Sequence, residues 1–237
     1  MSTDAAATNG CGEQLAARVA AALAAAEIPP SKLGPARRAR LSEAERALYF
    51  WILRRFSTDG CPSNTETRFE AERLGLDPEA VFARLSREDL VHLGADGEIT
   101  VAYPFSGHTT AHRVRFASGH ETYAMCAIDA LGIAPMLEQT IAIESRDPLS
   151  SEEIHVRLPP EGDGVWQPHS AVVVAGVLER QADSCRGCCP VLNFFATSNN
   201  AEHWLEAHPD VRGQTISLPE AIAAGRAVFA DALTAES

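Results

Sequence analysis

No run of about 18 apolar residues occurs in this 237-residue chain, so the sequence offers no membrane-spanning helix. A glycine-rich phosphate loop and internal repeats are also missing, which sets aside P-loop and solenoid architectures. Positive charge is scarce: 20 Lys and Arg against 32 Asp and Glu leave a formal charge of −12. Such a chain repels a phosphate backbone unless a basic face is gathered locally, so nucleic acid is not an expected partner. The N-terminal residues do not read as an export signal. Asp4 sits where positive charge belongs, and Glu13 and Arg18 interrupt the alanine-rich run that follows. The expected location is the cytoplasm, with reduced thiols. What is present is 46% hydrophobic and 22% charged residues, ample for a packed core and inconsistent with wholesale disorder.

Residues 1–40 read as an N-terminal appendage, mobile or partly helical. Pro29, Pro30 and Pro35 break any helix begun in the Ala16–Ala26 run. The cluster Arg37-Arg38-Ala39-Arg40 reads as a solvated linker, because nothing aromatic is interleaved with it. Residues 41–105 read as a winged-helix-like domain. Ser42 and Glu45 form a capping box ahead of an apolar face made by Leu48, Phe50, Trp51, Leu53 and Phe56. A second helix spans 65–74 and stops at Gly75; Asp77-Pro78 opens a third with Val81, Phe82 and Leu85 at helical spacing. A hairpin then runs from 90–93 to 99–103 around Gly94 and Gly97. Between Leu41 and Leu90 ten acids outnumber seven arginines, and the third helix offers only Arg84 with Glu79 near its start. A structural module packed on a second domain fits that charge better than a DNA reader.

From 106 to 237 the pattern mixes short β-prone runs (112–116, 141–145, 154–158, 171–178, 191–196) with helices. These are 121–137, a capped segment from Ser198 to His208, and a final helix over 220–233. There is no βαβ rhythm. The expected class is α+β, with the winged-helix-like module packed on a mixed or antiparallel-sheet catalytic domain.

Six cysteines are even in number but badly spread for a disulfide framework, since Cys185, Cys188 and Cys189 crowd together. Two constellations carry chemistry. In Tyr123-Ala-Met-Cys126-Ala-Ile-Asp129, a helix would put Cys126 and Asp129 on one face among apolar neighbours. A carboxyl buried there favours its neutral form and becomes a usable proton donor; the bland alternative is a buried thiol with Asp129 as a surface or capping residue. In Cys185-Arg-Gly-Cys188-Cys189-Pro190, three thiols sit beside Arg186, whose charge favours a thiolate. Cys185 and Cys188, with His203 and His208 downstream, also match the spacing of a two-Cys, two-His zinc site. A third possibility is Cys126 as a nucleophile with His108, His112 or His120 as base.

Taken together, Tyr123-Ala-Met-Cys126-Ala-Ile-Asp129-Ala-Leu resembles the active-site helix of organomercurial (alkylmercury) lyases, and Cys189-Pro-Val-Leu-Asn193-Phe194-Phe195-Ala196 resembles the segment bearing their second catalytic cysteine. The resemblance runs from about Leu41 to the C-terminus and includes Tyr103-Pro-Phe105-Ser106, His112-Arg113-Val114 and Ala201-Glu-His-Trp204. It implies that Cys126 and Cys189 bind mercury, with Cys188 as an adjacent auxiliary, and that Asp129 donates the proton. It further implies cleavage of a carbon–mercury bond to a hydrocarbon and Hg(II), as mercury detoxification. No cofactor would be required; external thiols would support turnover, and mercuric reductase or a thiol acceptor would take the Hg(II). Soft thiolates select soft mercury, which agrees with that chemistry. Phe194, Phe195, Met125 and Leu131 are candidates for the apolar wall around the substrate. The alternative from another class is a winged-helix regulator that senses a soft metal through the cysteine cluster.

Overall fold

The computed structural model describes residues 34–178 and 189–229, together with Ala17, Arg18, Ala20, Ala21 and Ala24. Short α1 (Gly34–Arg38) precedes three helices, α2 (Glu43–Thr58), α3 (Asn64–Arg73) and α4 (Pro78–Arg87). Ser42 and Ser63 each close a capping box, with Glu45 and Glu66 reaching back to the cap backbone, and Asp77 caps α4 ahead of Pro78. These caps explain why the helix starts were legible.

The hairpin β1 (Val91–Leu93) and β2 (Ile99–Ala102) does not stand apart. It continues through β3 (Phe105–Ser106), β4 (His112–Phe116), β5 (Glu121–Ala124), β6 (Ile141–Arg146), β7 (Glu153–Leu158) and β8 (Val165–Gln167) into one eight-stranded antiparallel sheet, ordered β1-β2-β3-β5-β4-β6-β7-β8. A second, three-stranded antiparallel sheet sets β9 (Val172–Leu178) between β10 (Phe194–Phe195) and β11 (Val211–Ser217). Helix α5 (Ala127–Leu137) packs on β4, β5, β6 and α7 (Leu218–Phe229), while α6 (Ser198–Ala207) covers the smaller sheet. The molecule is therefore α+β with a large antiparallel sheet, as expected.

Three expectations change. The 121–137 stretch is not one helix: Thr122 and Ala124 are buried in alternation with exposed or half-buried neighbours, the period of a strand, and the helix begins only after Cys126. The 191–196 run is extended only at Phe194–Phe195. Arg37 and Arg38 are not a solvated linker but are buried on α1.

Helices α5 and α7 approach through two glycines. A Cβ on Gly225 would stand 2.9 Å from the Gly132 backbone nitrogen, and one on Gly132 would fall 2.3 Å from a Phe229 ring carbon. This close approach sets the C-terminal end of α7 beside the start of α5.

Asp147, fully buried, ties the two sheets together. Its Oδ1 accepts from the Leu149 and Ser150 amides at 2.8 and 3.0 Å, and its Oδ2 accepts from the Ala196 amide and the Asn200 side chain, both at 2.8 Å. Burial alone would push its pKa up, but these donors hold it below the ordinary carboxylate value. Asp147→Ala is expected to lower stability by about 3 kcal/mol, because four donors lose their acceptor. In the wild type this contribution is present above about pH 4 and is lost as pH falls through the depressed pKa. Urea unfolding of both proteins at pH 7 and pH 3.5 checks it: the difference shrinks at the lower pH.

Candidate active site

Two backbone hydrogen bonds assemble the site. The Met125 amide donates to Pro104 O at 3.1 Å, which brings Tyr103 alongside Cys126. The Ala127 amide donates to Leu192 O at 2.8 Å, which brings the turn at Cys189-Pro190 to the same place. Asn193 Nδ2 closes that turn by donating to Pro190 O at 2.8 Å. Segments dozens of residues apart in sequence thus meet at the N-terminus of α5.

Cys126 is the N-cap of α5 rather than a residue on its face. Its Sγ accepts from the Asp129 amide at 3.4 Å, so the spacing of three expresses a cap instead of a helical stripe. The outcome for chemistry is the same, because the cap holds thiol and carboxyl together. Cys189 Sγ donates to Asp129 Oδ2 at 3.7 Å. One ligand atom from each of Cys126, Asp129 and Cys189 lies within 4.8 Å of the others, and the three residues are 1%, 5% and 6% exposed. Among the described residues this is the single cluster of His, Cys, Asp and Glu able to hold a metal ion. Burial raises the Asp129 pKa from 3.8 to about 7, against the pull of hydrogen bonds from both thiols and of the Arg37 charge. The carboxyl can therefore exist in either protonation state near neutral pH.

Two tyrosines support the thiols. The Tyr103 hydroxyl lies 3.5 Å from Cys189 Sγ, and the Tyr49 hydroxyl donates to Tyr103 O at 2.6 Å. Burial pushes both phenols above their ordinary range, so they remain neutral. A cavity of about 40 Å³ adjoins the triad, with Ile128, Leu192, Val228 and Phe229 as its apolar wall and Arg37 and Arg38 as its charged one. None of Phe194, Phe195, Met125 and Leu131 lines it. Phe194 instead packs against His112, Phe195 against Trp204, and Leu131 is plain core.

The remaining expectations resolve unevenly. Cys11, Cys185 and Cys188 lie outside the described residues. His203 Nδ1 faces Asn199 Nδ2 at 3.2 Å, and His208 stacks on Trp204 with its Nδ1 on Trp204 O at 2.7 Å. Of the proposed bases, His112 Nδ1 pairs with Ser145 Oγ at 3.0 Å and His120 Nε2 with Phe56 O at 3.0 Å, while His108 belongs to the turn closed by Ser106. Burial drives His112 down to about 4, so it stays neutral in place. Tyr49, Tyr103, Arg37 and Arg38 were not singled out as site residues from the sequence; only the hydrophobic-to-charged composition of the cavity, visible after folding, identifies them.

With this geometry in place, comparison with known proteins is informative. A family model described as alkylmercury lyase (MerB) matches residues 105–230, more than half of the chain. The chain belongs to the alkylmercury lyase family. An alkylmercury lyase of Bacillus cereus is 30% identical over 108 residues, covering 46% of this chain and 49% of that one. One of Staphylococcus epidermidis is 29% identical over 158 residues, covering 66% and 70%. The chain spans about half the length of the Bacillus relative it matches. The crystal structure of the mercury-bound form of MerB2 shares the fold, with a TM-score of 0.68 at 20% identity over 84% of this chain and 97% of that one. The regulator alternative finds no support in this alkylmercury lyase membership. The charge of helix α4 agrees: Arg84 is taken up by Glu88 at 2.8 Å and by Arg40 O at 2.7 Å.

Proposed function

We propose that this protein is an organomercurial lyase that cleaves the carbon–mercury bond of alkyl- or arylmercury by protonolysis, with Cys126, Cys189 and Asp129 as its catalytic residues. The observation that carries this reading is two thiols and one carboxyl gathered within 4.8 Å in a buried pocket with an apolar wall.

Mercury enters as substrate, R–Hg–X. Asp129, as carboxylate, takes the proton of Cys189 along their hydrogen bond, leaving a thiolate and a carboxylic acid. The thiolate forms a bond to mercury as X leaves with its electron pair. Cys126 attaches next, its thiol proton taken up by the released X to give HX, and this second thiolate raises electron density on the metal and weakens its bond to carbon. Asp129 then returns its proton to the departing carbon, the Hg–C electron pair becoming the new C–H bond, which is general-acid catalysis. The hydrocarbon leaves, and Hg(II) stays on Cys126, Cys189 and Asp129. Tyr103 steadies the Cys189 sulfur through its hydroxyl.

The domain division belongs to the same reading: an appendage over 1–40 whose described helix α1 packs into the fold, a winged-helix-like module over 41–105 and a catalytic domain over 106–237. So do a cytoplasmic location, a requirement for external thiols, a mercuric reductase or thiol acceptor for Hg(II), and an auxiliary role for Cys188. No helix among the described residues is long and apolar enough to cross a membrane. Headspace detection of methane or benzene, after incubation with methyl- or phenylmercury and excess small-molecule thiol, tests the activity. Release well above a protein-free control is expected; no release overturns it.

A further inference from the structure

His112 is a buried imidazole, 2% exposed, that takes no part in the proton transfers of the cleavage. It stands between the two segments that carry the thiols. On β4 its backbone is in register with Ala124 of β5, two residues before Cys126. Thr110 fastens this crossing: its hydroxyl donates to Ala124 O at 2.6 Å and accepts from the His112 amide at 3.1 Å. On the other side the ring meets Phe194 edge-on, with centroids 5.7 Å apart and planes at 67°. Phe194 follows Asn193, the residue whose side chain closes the Cys189-Pro190 turn.

A packed core loses stability by enclosing an imidazole unless both ring nitrogens are satisfied. Here each has a partner. Nδ1 lies 3.0 Å from the hydroxyl of Ser145, itself buried, on the strand that flanks β4 opposite to β5. The ring also hydrogen-bonds the Asn193 side chain, an interaction that favours a proton on the ring. All these contacts are satisfied when the Ser145 hydroxyl donates to Nδ1, Nε2–H donates to Asn193 Oδ1, and Asn193 Nδ2 donates to Pro190 O at 2.8 Å. The series of bonds ends one residue from Cys189. Phenylalanine would fill the same space without either nitrogen, so packing alone does not account for a histidine here.

We propose that His112 is a positioning residue, which holds the Cys189 turn through Asn193 and so fixes the spacing of the Cys189 and Cys126 sulfurs. This rests on the lyase reading and adds to it the device that keeps two thiols close enough to share one metal. His112 touches no reacting atom. Loosening the turn leaves Ile128, Val228 and Phe229 of the cavity wall in place, so capture of the organomercurial changes little. The second sulfur–mercury bond then forms less readily, and a misplacement of about 1 Å costs on the order of 10²-fold in rate.

The test compares benzene release from phenylmercury by intact wild type, His112→Phe, His112→Gln and Asn193→Ala. The phenylalanine variant keeps the ring contact with Phe194 and loses both hydrogen bonds, whereas glutamine still has a donor for Asn193. In His112→Phe and Asn193→Ala, kcat is expected to fall about 10- to 100-fold with KM changed less than about twofold. His112→Gln is expected to recover part of that loss. Wild-type kcat in His112→Phe, or equal losses in the Phe and Gln variants, overturns the positioning role; if His112→Phe does not fold, wild-type kcat in Asn193→Ala does so. A second readout needs no mercury. Diamide oxidises Cys126 and Cys189 to a disulfide, accepting their two protons and two electrons, and peptide mapping with fragment ions follows that linkage alone. It is expected to form several-fold more slowly in His112→Phe and Asn193→Ala than in wild type; equal rates overturn the positioning role. No benzene from the wild type, with the disulfide rates still separated, overturns the lyase reading and supports the role in thiol spacing.

Discussion

Cys126→Ala and Cys189→Ala each reduce hydrocarbon release from phenyl- or methylmercury to below about 1% of wild type, because one thiolate alone does not load the metal with enough electron density to free the carbon. The two losses do not add. A double variant is expected to be no worse than either single one, as happens when residues act as a unit. Cys61→Ala is the contrast. Cys61 lies at the surface with its sulfur directed at Ile99 O at 3.6 Å and takes no part in the cavity, so turnover stays within about twofold. Gas chromatography of the headspace under identical thiol concentrations distinguishes these outcomes. Full turnover in the Cys126 variant would remove the thiol pair from the mechanism.

Asp129→Asn moves activity and stability in opposite directions. Asparagine has no acidic proton to give, so release falls by roughly 10²–10⁴-fold, the usual contribution of a positioned general acid. Stability changes for a separate reason. Burial holds the Asp129 pKa at about 7 in the fold, against 3.8 for an ordinary aspartate. The folded state thus favours the neutral carboxyl. Its contribution is full below about pH 4 and is lost as pH rises through about 7, where the buried group must ionise. At pH 8 the wild type carries that buried charge and the asparagine variant does not. The variant is expected to resist urea better than wild type by roughly 1–3 kcal/mol at pH 8, with the gap narrowing at pH 5. A variant less stable than wild type at pH 8 would mean that the carboxylate is compensated in the metal-free protein.

Much of the fold was legible because its signals are local. Ser42, Ser63 and Asp77 announce helix starts through caps that depend on neighbours only three residues away. Strand β11 left no comparable mark. It lies at the edge of the small sheet, only Ile216 among its residues is buried, and it carries no apolar alternation to read. The boundary at Cys126 was blurred for another reason: apolar residues dominate both β5 and α5, and an apolar run does not itself distinguish a strand from a buried helix.

The site divides in the same way. Cys126, Asp129 and Cys189 were recognisable from two motifs, though the physical relation between Cys126 and Asp129 proved to be a helix cap. Arg37 and Arg38 were not. Their apparent exposure follows from a proline-broken, polar neighbourhood, and their burial from contacts with Asp89, fifty-two positions from Arg37, and with the end of α7. No window on the sequence contains both sides of such a contact. The same holds for Tyr49, whose hydroxyl finds Tyr103 O only after α2 docks on the sheet.

Mercury L-edge X-ray absorption on protein loaded with one equivalent of Hg(II), in the wild type, Cys126→Ala and Cys189→Ala, tests the central claim most directly. Two sulfur neighbours and a lighter oxygen are predicted for the wild type, with one sulfur fewer in each variant. A sulfur count unchanged by both substitutions would place the metal on other thiols and contradict the account.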